Sequence, residues 1–341
     1  MDTFLFLLTD GISNGAVYGL VALSLVIVHT VTRVANIAQG EYLMFGAMTL
    51  ASMLDGAIPP TLALVMSGGV LCALLDLYPA RRNPGQMLKT LMRYVSCGVV
   101  LSAMVWATLR FGHAMLAATA CTLVLVSTLG VVVYRLTVQP AINSSAVVLV
   151  MLSVGVQMVL QGMGLVLWGA DPRTVPPIAQ GGFQIGSIYV SDQTAFIFVV
   201  AVAVMAGLFA FFEFTQIGKA LRATAINRRG AQLCGISPTH AGLVSFGLAA
   251  CFSGAGGMLV APLVTANVDM GFLIGLKGFV GATFGGLSTY PLSIAGVGLV
   301  GSLDAFASYG ASAFRDAIVF FMVIPVLLWR NGPASRMGGD R

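Results

Sequence analysis

Residues 34–53 read VANIAQGEYLMFGAMTLASM, an apolar run that opens on Asn36, Gln39 and Glu41. Its second half is a plain lipid-crossing helix, yet an acidic residue at mid-membrane costs about 2.5 to 3.5 kcal/mol. Glu41 lies only about two turns into the span. Two readings of it are open: an interfacial carboxylate near the cytoplasmic face, or an intramembrane acid that needs a partner or a cavity. Asn36 and Gln39 follow Arg33 closely and are expected at a cytoplasmic turn, where they satisfy backbone and neighbouring loops without entering lipid.

The rest of the chain has the same character. Of its 341 residues 58% are hydrophobic and 9% charged, with a mean hydropathy of +0.95, against roughly 25% charged in soluble domains. This composition defines an integral membrane protein. The expected fold class is all-α, a polytopic transmembrane helical bundle of roughly 9 to 11 spans. No segment is left over for a soluble domain, so residues 1–341 are expected to form one transmembrane domain. Spans are expected near 12–31, 35–54, 61–77, 94–109, 114–133, 147–168, 195–213, 241–263, 273–289, 292–310 and 316–329. The start MDTFLFLLTD has no Lys or Arg and reads as the beginning of the first span, not a cleaved signal peptide.

The net charge of +5 sits in short clusters between apolar runs, so it reports orientation and not a nucleic-acid partner. With the N-terminus outside and the C-terminus in the cytoplasm, most basic residues fall inside, including Arg33, Arg93, Arg135 and the group from Lys219 to Arg229. Lys277 and Arg315 fall outside with Asp55, Asp171 and Asp269. The weakest span is 273–289, where Lys277 and glycines such as Gly285 and Gly286 make a poor continuous helix. A broken or re-entrant helix is expected there, and the charge distribution favours a net crossing by a broken one.

Two loops stand out. The external loop 169–194, with prolines and alternating residues, reads as a short ordered cap with some extended structure. The internal loop 214–240 contains GKALRATAINRRGAQLCGI, a helix-compatible stretch with Gly235 as its stop, and it is expected to lie as one docking helix under the membrane. The five cysteines form no CxxC pair and read as small buried hydrophobes.

Gly11, Gly15 and Gly19 recur at i+4 spacing, as do Gly281 and Gly285, which predicts close helix packing. Gln157 and Gln161 lie one helical turn apart and read as interhelical glue or as pore-lining amides. Asp304 lies deeper than Glu41 and is a second candidate, but Glu41, Asp304 and Lys277 are expected to be widely separated. Enzyme chemistry has little support: the histidines are scattered, no metal-ligand spacing occurs, and GSLD at 301–304 lacks the second aspartate of an intramembrane protease. No phosphate-binding loop is present, so the chain is not itself an ATPase. No metal or cofactor is expected.

The order of the motifs resembles the permease subunits of ABC importers for branched-chain amino acids. The opening NGAVYGLVALSLVIVHTVTRVANIAQGEYLMFGAM is similar to a first span that runs into an N-x-A-[HQ]-G-E signature, here Asn36, Ala38, Gln39, Gly40 and Glu41. The cytoplasmic segment resembles that family's G-[KR]-A-x-R-A…N…A…G-I pattern through Gly218, Lys219, Ala220, Arg222, Ala223, Asn227, Ala231, Gly235 and Ile236. DPRTVPP, GLKGFVGATFGGLSTYPLSIAGVGLVG and FRDAIVFFMVIPVLLWRNG follow in the family's order. The start at the first span resembles the H-type member of a heterodimeric pair, and the region 72–113 fits less well.

The resemblance implies an inner-membrane permease that works with a second permease subunit (M-type or a copy of itself), two cytoplasmic ABC ATPase subunits and a periplasmic solute-binding protein. It assigns ATPase coupling to Gly218, Lys219, Arg222, Ala223, Asn227, Arg228, Ala231 and Gly235. For the translocation path or gate, the breaks in apolar helices point to Asn36, Gln39, Gly40, Glu41, Lys277, Gly285 and Gly286. Branched-chain or other hydrophobic amino acids are the expected cargo, with urea, short amides or aromatic acids as the alternative. A stand-alone secondary transporter or channel is the reading from a different class.

Overall fold

The computed structural model describes residues 2–80, 84–111, 115–142, 144–179, 181–185 and 188–331. Helices α1 (Asp2–Thr32), α2 (Gln39–Leu54), α3 (Pro60–Ala80), α4 (Pro84–Phe111) and α5 (Met115–Val133) follow in order, and α5 continues through a π-helical turn, Tyr134–Val138, into the short α6 (Gln139–Ala141). After α7 (Ala146–Trp168) comes an antiparallel hairpin of β1 (Gly182–Ile185) and β2 (Ile188–Ser191). Then come α8 (Asp192–Phe214), α9 (Gln216–Ile226), α10 (Arg228–Leu233), α11 (Pro238–Val260), α12 (Met270–Phe284), α13 (Tyr290–Gly310), α14 (Arg315–Phe321) and α15 (Val323–Asn331). Side chains that the sequence supplies at the right places start several of these helices. Ser145, Ser191, Thr215, Asn227 and Ser237 each accept a first-turn N–H, as N-caps do.

Among the described residues, eight helices are long and apolar enough to cross a membrane. The remaining expected spans are different in kind: α2 has 16 residues, α12 has 15, and the last is divided into α14 and α15 at Met322. Helices α1, α2 and α11 lie at the centre, with α3, α4, α7 and α8 presenting apolar side chains at the rim. Every residue of α2 from Gln39 to Met53 is buried, and α5, α7, α11 and α12 surround it. The helix ends sort the charges. Arg33, Arg135 and the α9–α10 pair mark one end, here the basic end, and the hairpin with the Arg173 and Ala266 bridge marks the other.

The break expected within 273–289 falls at its C-terminal end, after α12. Helix α12 is continuous to Phe284, and Gly286 and Leu287, at φ 63° and 58°, turn the chain into α13. Gly285 packs against the start of α13. A second irregular segment lies at 33–38, between α1 and α2, where Arg33 at φ 60° ends α1. The expectation of one docking helix at 214–240 is corrected too: Asn227 leaves helical geometry at φ −143°, splitting α9 from α10. Gly235, at φ 80°, does close α10, with the Ile236 N–H bonded to the Ala231 carbonyl. Cys97 and Cys234 are exposed, unlike the expected buried cysteines.

The glycine spacing is used for packing, as expected. A Cβ on Gly11 would sit 2.6 Å from the Ser302 Cα, and one on Gly40 would sit 2.7 Å from the Gly275 Cα. These backbones approach because no side chain intervenes, and dispersion across the contact replaces a hydrophobic force that lipid cannot supply. Substituting Gly40 with Val is expected to destabilise the folded protein by about 1 to 3 kcal/mol or more through overpacking. The check is a lowered Tm of the purified variant, and a wild-type Tm contradicts the contact.

Candidate functional site

The segment 33–38 climbs through the interior. The Ala35 carbonyl accepts from Ser153 Oγ at 3.1 Å, and the Ile37 N–H donates to the same oxygen at 3.4 Å. The Gln39 carbonyl accepts from Ser253 Oγ at 2.6 Å. Ser153 lies about 10 Å along α7 from its basic end and Ser253 about 22 Å along α11. The chain therefore enters at Arg33, whose guanidinium donates to the Ala225 carbonyl, and α2 begins at mid-depth.

This corrects the placement of Asn36, Gln39 and Glu41 at a cytoplasmic turn or interface. Asn36 is 2% exposed, and Gln39 and Glu41 are 0% exposed. Asn36 Nδ2 donates to Gln39 Oε1 at 3.1 Å, and the Gln39 and Glu41 N–H groups bond back to the Asn36 and Ala38 carbonyls. Glu41 Oε1 accepts from Gln157 Nε2 at 3.1 Å, about halfway along α7. Gln157 and Gln161 thus do bond across helices: Gln157 also donates to Gln161 Oε1 at 3.1 Å, and Gln161 donates to Asp269 Oδ1 at 3.1 Å. Gly40 lets α2 approach α12. Gln39 Nε2 and Glu41 Oε2 are buried without hydrogen-bond partners.

A second polar cluster joins α1, α12, α13 and α14. Asp304 is 0% exposed and binds Arg315 through two bonds, Nε to Oδ1 at 2.8 Å and a terminal nitrogen to Oδ2 at 2.6 Å. Lys277 Nζ lies 2.9 Å from Asp304 Oδ1 and 2.9 Å from Asp316, and the Tyr18 hydroxyl donates to Asp304 Oδ2 at 2.6 Å. Lys277 and Asp304 are therefore partners, contrary to the expected separation, while Glu41 belongs to the other cluster. Two cations meet two carboxylates, which is how charge survives at low dielectric. The ammonium of Lys277 is committed there, and Gly285 and Gly286 serve the α12–α13 turn. The sequence reading missed Tyr18, Arg315 and Asp316 as partners; the signal available was the need of an intramembrane aspartate for cations.

The third element is the α9–α10 pair at the basic end. Gly218, Leu221 and Thr224 form its buried face, and Leu221 packs with Leu23, Ile27, Val31 and Phe212. Lys219, Arg222, Asn227 and Arg229 are exposed, Ala223 and Arg228 half-buried, and Ala231 buried. Arg222 pairs with Glu213 at 3.0 Å across an exposed surface. Ile226 and Leu233 are 80% and 90% exposed.

A bundle whose centre holds bonded polar segments, with a helical pair at one end, is the architecture of a polytopic membrane protein. Residues 7–87 and 93–327 match the family described as branched-chain amino acid transport system / permease component, and the chain belongs to that family. Similar proteins include the high-affinity branched-chain amino acid transport system permease protein BraD of Pseudomonas aeruginosa, 25% identical over 95% of this chain and 92% of that protein. The corresponding protein LivH of Escherichia coli is 24% identical over 95% of this chain and 93% of its own length. PsaBC from Streptococcus pneumoniae in complex with Fab aligns over 98% of this chain and 94% of that one at 11% identity, with a TM-score of 0.38. A permease component is one part of a transport system and acts with other subunits.

Replacing Asp304 by Asn leaves Lys277 and Arg315 facing a neutral amide at a buried position. The expected loss is on the order of 3 kcal/mol, as for other buried pairs that lose one partner, read as a large drop in Tm. Arg315→Ala is expected to cost less, since Lys277 still neutralises Asp304.

Proposed function

We propose that this chain is the membrane-spanning permease subunit of an ATP-binding-cassette importer, passing branched-chain or other hydrophobic amino acids received from a solute-binding protein. The complex contains a second permease subunit or a second copy of this chain, two cytoplasmic ABC ATPases and a periplasmic binding protein. It lies in the inner membrane with the N-terminus outside and the C-terminus in the cytoplasm, and residues 1–341 act as one permease unit.

The observation that carries this reading is the surface of α9 and α10. Exposed Lys219, Arg222 and Arg229 surround Ile226 and Leu233, whose side chains stand almost fully in the open. Basic residues alone would serve the orientation of the chain in the membrane. Bare apolar side chains outside the spans serve a protein partner instead. The pair is anchored to α1 through Leu221, so motion of a docked ATPase passes to the central helix as a rigid-body movement. The branched-chain substrate named for the similar permeases supports the cargo assignment. At the far end, the β1–β2 hairpin and exposed Asp55 and Asp171 offer a surface for the binding protein.

Two substitutions test the docking surface. Leu233→Asp and Arg222→Glu are expected to leave membrane levels of the chain intact and to reduce ATP-driven uptake by about tenfold or more, equivalent to roughly 1.4 kcal/mol of coupling. Both should also lower copurification of the ATPase. Normal uptake in both variants would overturn the coupling assignment.

A further inference from the structure

The polar ladder at the centre leads to a cavity. Gln157 is its middle rung, bonding Glu41 on one side and Gln161 on the other, and Gln161 holds Asp269. The ladder thus ends on a carboxylate at each side. Glu41 Oε2 has no partner and lies against Gly271, two residues beyond Asp269. Asp269 Oδ2 accepts no hydrogen bond from the described residues. Among those residues no lysine, arginine or histidine lies within ion-pair distance of either carboxylate, whereas Asp304 holds both Lys277 and Arg315. One polar cluster is internally neutralised and the other is not.

Beside Asp269 lies a cavity of about 290 Å³, lined by Met158, Gln161, Leu165, Asn267, Val268 and Asp269 among others. That volume is at the small end of ligand sites, enough for one short molecule. Its wall is divided between apolar side chains and an acidic, amide-bearing edge. The cavity runs from Met158, about halfway along α7, to Ala170, past the end of that helix and beside the Ala266 bridge. Its mouth is at the hairpin end of the bundle, where an exposed carboxylate such as Asp269 costs little.

We infer that the cavity is a transit site for an α-amino acid, with the substrate ammonium on Asp269 and the apolar side chain against Met158, Leu165 and Val268. The inference rests on the importer reading and names the group that the permease itself recognises. Glu41 lies behind the site, held by Gln157. Gln157 and Gln161 are positioning residues, since their amide N–H groups fix one oxygen of each carboxylate and leave the other free. An ammonium supplies the missing counter-charge, and urea, simple amides and aromatic acids do not. Such a site raises selectivity along the route without holding the cargo tightly.

Saturation-transfer NMR on the purified, assembled transporter in nanodiscs, without binding protein, tests this. L-leucine and isoamylamine, each at about 10 mM to reveal millimolar affinity, are expected to give a transfer signal, and 4-methylpentanoate is not. Both amine signals should be lost in Asp269→Asn and in Met158→Trp, which fills the cavity without altering a charge. Absence of amine signal in the wild type, equal signal from the acid, or unchanged signals in both variants would overturn the site. ATP-driven leucine uptake by the same transporter reconstituted in liposomes with its binding protein is scored separately. If uptake fails while the amine signals behave as expected, the importer reading falls and the site stands; if uptake proceeds and the variants bind normally, the site falls alone.

Discussion

The architecture depends on two serine hydroxyls that hold a non-helical strand of chain inside a membrane protein. Backbone N–H and C=O groups without partners cost several kcal/mol each in hydrocarbon, so irregular backbone survives at depth only where protein satisfies it. Ser153 on α7 serves Ala35 and Ile37, and Ser253 on α11 serves Gln39. With these bonds the chain rises from Arg33 without helical geometry. The short α2 then starts at mid-depth and still reaches the far end of the bundle.

That placement has consequences for everything around α2. A helix buried on all sides needs small residues facing its neighbours, and Gly40, Gly46, Gly254, Gly257 and Gly275 occupy those contacts. It also carries Glu41 to the level of Gln157, away from any interface. The charged residues divide into two groups with opposite chemistry. Asp304, Lys277, Arg315 and Asp316 cancel one another and tie α12, α13 and α14 together. Glu41 and Asp269 are linked through amides alone, with no cation of the described residues paired to either.

Much of this was legible in the sequence. Composition and span length identify a polytopic bundle, the glycine spacing marks α1 for close helix contact, which the fold gives to α13, and Gly235 does stop a helix. The external loop carries the expected extended structure. What local reading missed came from long-range geometry. The polar start of 34–53 looks the same whether it lies at an interface or at mid-depth, because the difference is set by Ser153 and Ser253, far away in the chain. Lys277 and five nearby glycines look like a broken helix, yet Asp304 and Asp316 neutralise the lysine, Gly275, Gly278 and Gly281 are packing contacts, and Gly285 and Gly286 fall in the turn that follows, so α12 runs unbroken to Phe284. Asn227 reads equally as a helix residue and as a cap, and its side chain chooses the cap by accepting the Gly230 N–H at 2.9 Å.

The most direct test of this account is hydrogen exchange, followed by mass spectrometry, on the protein in nanodiscs, read at the amides of residues 34–41. Exchange at Val34, Ile37, Gln39 and Glu41 is expected to be as slow as in the body of α2, because these N–H groups are bonded inside the bundle and open only with it. Exchange within seconds, at the rate of a solvent-exposed turn, would contradict the mid-depth start of α2.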